Sequence, residues 1–133
     1  MIGLDPSFTH HKSKILILER ESNLRLLYRL EFEDEGYHVL LAKDTEHALA
    51  MLDESAPDLL VIEYLLPITA PYSALLQIAT DQKGIPVILH SGYPNSLLAH
   101  PLGNTIQYLI KSPNLEKLKK KIEEILRNKR VVH

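Results

Sequence analysis

No cysteine occurs anywhere in the 133 residues, which removes disulfides, zinc–thiolate centres and cysteine nucleophiles. No uninterrupted apolar run approaches the roughly 18 residues needed to cross a bilayer. The opening MIGLDPSFTHHKSK lacks the long apolar stretch of a secretory leader. Charge of one sign is not in excess either: the net charge is −2, too small for a global field that attracts nucleic acid. No G-x-G-x-x-G, P-loop or G-x-S-x-G follows any candidate strand, so nucleotide and acyl-transfer chemistry lack their usual scaffolds. A single cytoplasmic domain is expected, outside any membrane and not bound to nucleic acid.

What is present is ordinary globular material, 45% hydrophobic and 24% charged, with enough apolar surface to offset the entropy of ordering. Prolines and glycines separate segments of two alternating kinds. Short apolar runs, 14–19 (KILILE), 37–42 (YHVLLA), 58–63 (DLLVIE), 85–90 (IPVILH) and 106–111 (IQYLIK), suit strands buried on both faces. Between them lie amphipathic stretches. Leu24, Leu27, Tyr28 and Phe32 recur at helical spacing from a Ser22 cap to Glu35; Thr45, Ala48, Leu49 and Leu52 follow an Asp44 cap. Ala74, Leu75 and Ile78 mark a third helix over 71–80, and a short fourth is expected over 94–100. Ser112-Pro113 reads as a cap and first turn for a fifth, whose face is Leu115, Leu118, Ile122, Ile125 and Leu126.

Five strand–helix units with short connections imply an α/β fold: a flavodoxin-like, doubly wound parallel sheet, order 2-1-3-4-5, with helices on both faces. A (β/α)₈ barrel would need about 250 residues. The domain is expected over 14–128, with a flexible tail at 1–13 and another at 129–133.

Open α/β sheets bind beyond the carboxyl ends of their strands. There the sequence places Glu19-Arg20-Glu21, Glu63, His90-Ser91-Gly92 and Lys111. Strands must end somewhere and polar ends are common. Even so, charged residues that finish otherwise apolar runs are poor packing residues.

The motifs resemble those of response regulator receiver domains of two-component systems, the CheY-like family. They are ILILERE at Ile15–Glu21, EGY at 35–37, PDLLVIEYLLP at 57–67, IPVILHSG at 85–92, and 103–113 with its Lys111. The resemblance covers about 14–128. It implies a phosphorelay signalling module that acts through another signalling protein (kinase, output protein or a second copy) and is not an enzyme. The implied docking face is that of the fourth helix, fifth strand and fifth helix, with Leu97 and Leu98 as contacts. An enzymatic or small-ligand-binding flavodoxin-like domain is the alternative.

Departures from the family pattern carry most of the information. Glu63 stands at the phospho-acceptor position, where the pattern has Asp. The acidic-pair position reads Glu19, Arg20, Glu21, with Arg20 replacing an acid. Ser91, Tyr108 and Lys111 match the switch and phosphate-sensing positions. Mg²⁺ is held through carboxylate oxygens. A guanidinium about 4 Å from it costs roughly 8 kcal/mol at an effective dielectric of about 20, so no metal or other cofactor is expected. The result is a pseudo-receiver. Either Glu63 imitates a phosphorylated Asp, or Arg20 fills the metal seat and clamps Glu63 in a bidentate pair; the two are compatible.

Two loop changes follow from the same comparison. Pro71 replaces a glycine and is expected to stiffen its loop. Ser112 follows Lys111 where the pattern has proline, so a trans peptide is expected.

The histidines offer no metal spacing. His10 and His11 lie on the tail, His38 and His47 on solvated or half-buried faces; His90 borders the rim beside Ser91, where packing is the simpler reading and donation to Glu63 the alternative. The basic run Lys117, Lys119, Lys120, Lys121, Arg127, Lys129 and Arg130 is interrupted by Glu116, Glu123 and Glu124, as on a solvated helix face.

Overall fold

The computed structural model describes residues 13–63, 70–92 and 105–131. The expected fourth helix with Leu97 and Leu98, the His10–His11 pair and Pro67 lie outside them. Five strands are seen: β1 (Lys14–Leu18), β2 (His38–Ala42), β3 (Leu59–Glu63), β4 (Val87–Ser91) and β5 (Ile106–Ile110). All pair in parallel, in the order β2-β1-β3-β4-β5. The described helices are α1 (Ser22–Asp34), α2 (Thr45–Ser55), α3 (Ala70–Gln77) and α4 (Glu116–Val131). Helix α4 is the expected fifth helix, and it runs three residues into the stretch read as a tail.

Successive strand residues point to opposite faces, and the two rows build two cores. Leu16, Leu18, Leu60, Ile62, Val87 and Leu89 pack with Ala48 and Leu52 of α2 and Leu75 and Leu76 of α3. Ile15, Ile17, Leu59, Val61 and Ile88 pack with Tyr28 and Phe32 of α1 and Leu118, Ile122, Ile125 and Leu126 of α4. Each fully buried aliphatic or aromatic side chain stabilises by about 1.5–3 kcal/mol. This is why strands without polar alternation sit at the centre.

Local signals at the element ends are partly as expected. Asp44 caps α2, its side chain accepting from His47 N–H at 2.8 Å. Gly36, at φ 99°, makes the α1–β2 turn in a conformation that L side chains avoid. The Pro-Asp before β3 also has a physical role: Asp58 accepts from Lys14 N–H at 2.7 Å and donates its own N–H to Lys14 O at 2.8 Å, which ties β1 and β3 together at their start.

Other expectations need correcting. Glu21, not Ser22, is the N-cap of α1, without a side-chain bond. Ser112-Pro113 does not open the last helix; Asn114 does, accepting from Glu116 N–H at 3.0 Å. Pro71 lies in the first turn of α3, where its missing N–H has no intrahelical partner to lose, rather than in a stiffened loop. That helix ends in a π-turn over Ile78–Gln82, with Leu76 buried where Ala74 was expected. Leu27, read as core, is 42% exposed.

Candidate functional site

The row of side chains facing α1 and α4 continues past the core to the carboxyl edge of the sheet. On β1 the sequence Ile15, Ile17 continues to Glu19; on β3 Leu59, Val61 continues to Glu63; on β4 Ile88 continues to His90. Glu63 and His90 are register partners on adjacent strands, and Lys111 follows directly after β5. Strand spacing of about 4.8 Å then brings these polar ends within reach of one another.

Glu63 is the centre of the cluster and is 5% exposed. The Tyr28 hydroxyl, one helix away, donates to Glu63 Oε1 at 2.6 Å. Lys111 Nζ sits 2.9 Å from the same oxygen. His90 Nδ1 lies 2.8 Å from Oε2 and 3.1 Å from Oε1. An ionised carboxylate only accepts, so the His90 proton belongs on Nδ1. Burial alone would raise the Glu63 carboxyl. The hydrogen bond and charge of His90, with the bonds from Tyr28 and Lys111, outweigh that and hold it below its ordinary 4.5.

Neighbouring groups respond in the opposite sense. Glu19 is pushed up, first by burial, against the bond it accepts from Glu21 N–H at 2.8 Å, and further by the Glu63 charge. The Tyr28 phenol is pushed far up, first by burial and then by the adjacent Glu63. One carboxylate is thus firmly ionised and the next partly discouraged from ionising.

The expected Arg20–Glu63 clamp is not formed. Arg20 is exposed, and no described residue partners its guanidinium. The partners of Glu63 are instead the Lys111 ammonium and the His90 Nδ1–H. Around Arg20 the organising group is Arg25, whose Nη1 donates to the carbonyls of Glu19 and Arg20 at 2.8 Å each and pins the β1–α1 turn. Glu21 is exposed. Ser91 and Tyr108 belong to the opposite row, facing α2 and α3. Ser91 is fully buried, and its carbonyl accepts from Lys111 N–H at 2.7 Å. Tyr108 packs against the α2–α3 core with its hydroxyl buried and, among the described residues, unbonded.

Three contributors were missed or undervalued in the sequence. His90, for which packing was preferred over donation to Glu63, turns out to be the donor; its signal was a polar side chain closing an apolar strand. Tyr28 was read only as core, and Arg25 gave no sign at all. His38 and His47 are exposed as expected. Three residues of the basic run pair with acids: Lys119 Nζ lies 2.7 Å from Glu31, Lys121 3.5 Å from Glu124 and Arg127 3.9 Å from Glu123.

A family model described as the response regulator receiver domain matches residues 15–123. The chain belongs to that family. Among relatives of this receiver, the transcriptional regulatory protein CpxR of Klebsiella pneumoniae is 33% identical over 118 residues, which are 86% of this chain and 50% of CpxR. A CheY-like receiver domain protein from Methanospirillum hungatei superposes with a TM-score of 0.75 at 26% identity, covering 91% of this chain and 98% of the other. The receiver domain of the hybrid histidine kinase CckA gives 0.66 at 28% identity, covering 84% and 97%. This receiver spans between 30% and 50% of the length of the curated relatives it matches.

Lys111 and His90 engage Glu63, Glu19 accepts from the Glu21 N–H of its own turn, and Arg20 is exposed beside it. Among the described residues, no group of three His, Asp or Glu converges on a common point. No described helix is long and apolar enough to cross a membrane.

Proposed function

We propose that this receiver is a pseudo-receiver of a two-component phosphorelay, a cytoplasmic binding module rather than an enzyme, fixed in one state and acting on another signalling protein. The observation that carries this reading is the saturation of Glu63: its two oxygens accept from Tyr28, His90 and Lys111 within 2.6–3.1 Å. Phosphoryl transfer needs an accessible nucleophilic oxygen in line with the incoming phosphorus, and metal charge to neutralise what develops. Both Glu63 oxygens are already engaged, Oε1 by Tyr28 and Lys111 and Oε2 by His90, so an incoming phosphorus or cation has to compete with these bonds.

The same contacts favour an active-like state. Glu63 reaches Lys111 through its own longer side chain, as a phosphorylated Asp would through its phosphoryl oxygens. Tyr108 lies inward with a buried hydroxyl, the position that the family resemblance associates with activation. The output contact is assigned to the face of β5 and α4, where Ile110 is 52% exposed.

Exposure to a small acyl phosphate with Mg²⁺, followed by intact-mass measurement, tests the reading. Wild type is expected to give no Mg²⁺-dependent adduct. Combining Glu63→Asp, Arg20→Asp and His90→Val, which shortens the acceptor, restores the acid and removes the buried donor, is expected to give one. An adduct on the wild type overturns the proposal. No adduct on a folded triple variant overturns the assignment of Glu63 as the acceptor position.

A further inference from the structure

Helix α1 carries an apolar face that the fold does not use. Tyr28 and Phe32 point into the sheet, while on the opposite side Leu26, Leu27 and Leu30 are 57%, 42% and 60% exposed. At about 100° per residue these three fall within one outward sector, with Asn23 and Asp34 continuing it at either end. Single exposed leucines need no explanation; three adjoining ones on one helix form a patch.

The charges along α1 are also segregated. Arg20, Arg25 and Arg29 lie in the first part, offset only by Glu21, and Glu31, Glu33, Asp34 and Glu35 in the last. The first turn has no acid and the last turn no base, the reverse of what the helix dipole favours. Within the chain this is only partly relieved. Lys119 holds Glu31 at 2.7 Å and Glu35 at 3.9 Å, and Arg29 bridges Glu33 at 3.0 Å. Arg20 at one end and Asp34 at the other are exposed and have no side-chain partner among the described residues.

We infer that α1 pairs with α1 of a second copy of this chain, antiparallel and about a two-fold axis between Leu27 and Leu30. That axis sets each Leu27 opposite the other copy's Leu30 and each Asn23 opposite the other copy's Asp34. Arg20 lies just outside the helix, on the β1–α1 turn three residues before Asn23, at the end of α1 that this pairing sets beside the other copy's Asp34. A two-fold contact is self-complementary, and a helix basic at one end and acidic at the other complements its own inverted copy. The dipole mismatch of α1 is relieved in the same step. The contact is small beside the roughly 800 Å² per partner of a stable interface, so the dimer is weak and concentration-dependent.

Sedimentation equilibrium of the full chain tests this. Wild type is expected to show a monomer–dimer equilibrium that weakens with added salt, and Leu26→Glu with Leu30→Glu to be monomeric with unchanged helical circular dichroism. Asp34→Arg is expected to weaken dimerisation roughly tenfold, because symmetry breaks two pairs at once. It should not lower the melting temperature of the monomer, since it corrects the charge at the helix end. Adding Arg20→Glu to Asp34→Arg should restore most of the lost affinity. Wild type that remains monomeric into the high-micromolar range overturns the inference and leaves the face to a different protein. A dimer indifferent to the leucine changes, or an Asp34→Arg loss that Arg20→Glu does not rescue, overturns it as well.

Discussion

Two tyrosines stand on opposite faces of the same sheet and meet opposite fates. Tyr28, on the α1 side, donates a 2.6 Å bond to the buried Glu63; Tyr108, on the α2–α3 side, has a buried hydroxyl with no partner among the described residues. The first face is a closed electrostatic unit of Glu19, Glu63, His90, Lys111 and Tyr28. The second is a hydrocarbon core into which Ser91 and the Tyr108 hydroxyl are inserted. One face thus ends in paired polar groups, and the other in a buried hydroxyl that no described residue satisfies.

The contrast can be broken first at Glu63. Glu63→Ala leaves His90 and Tyr28 buried without their acceptor, and urea unfolding near neutral pH is expected to show a loss of about 3–5 kcal/mol. A loss below about 1 kcal/mol would mean that the cluster does not hold the fold. Tyr28→Phe removes one bond to a charged group and is expected to cost about 1.5–3 kcal/mol. Tyr108→Phe, the matching change on the other face, is expected to fall within about 0.5 kcal/mol of wild type or to stabilise, since it deletes an unmade bond. Equal costs for the two tyrosine variants would erase the distinction.

Acid titration sharpens it. The Glu63 carboxyl lies below its ordinary 4.5, so the unfolded chain binds the proton first. The stability Glu63 contributes is present above 4.5 and is lost as pH falls through its folded value. Glu19, raised above 4.5, works oppositely: its contribution is greatest when protonated and is lost as pH rises through its folded value. Glu63→Gln should therefore flatten the loss of stability below about pH 4.5, and Glu19→Gln should remove a smaller decline above it, both read from urea midpoints.

The strands, their order and the rim were legible because apolar runs of five or six residues have one good home, a parallel sheet covered on both sides. Glu63 was legible because it closes such a run. Its partners were not. That His90 serves Glu63 follows from the β3–β4 register, which no local pattern specifies. The Tyr28 bond spans 35 positions of chain and depends on how α1 lies over β1 and β3. Arg20 misled because adjacency in sequence to Glu19 suggested adjacency in space to Glu63. Arg20 lies past the end of β1, in the bend before α1, and ends in solvent, while Arg25, six residues after Glu19, returns to its carbonyl.

By itself the order of residues determined the fold, the family and the acid that closes β3, because periodicity and strand-end chemistry are local properties that survive without coordinates. The tertiary structure alone decided which cation neutralises Glu63. Electrostatic pairing depends on distances of about 3 Å between groups that the chain separates by tens of residues, and packing the helices on the sheet is what sets those distances.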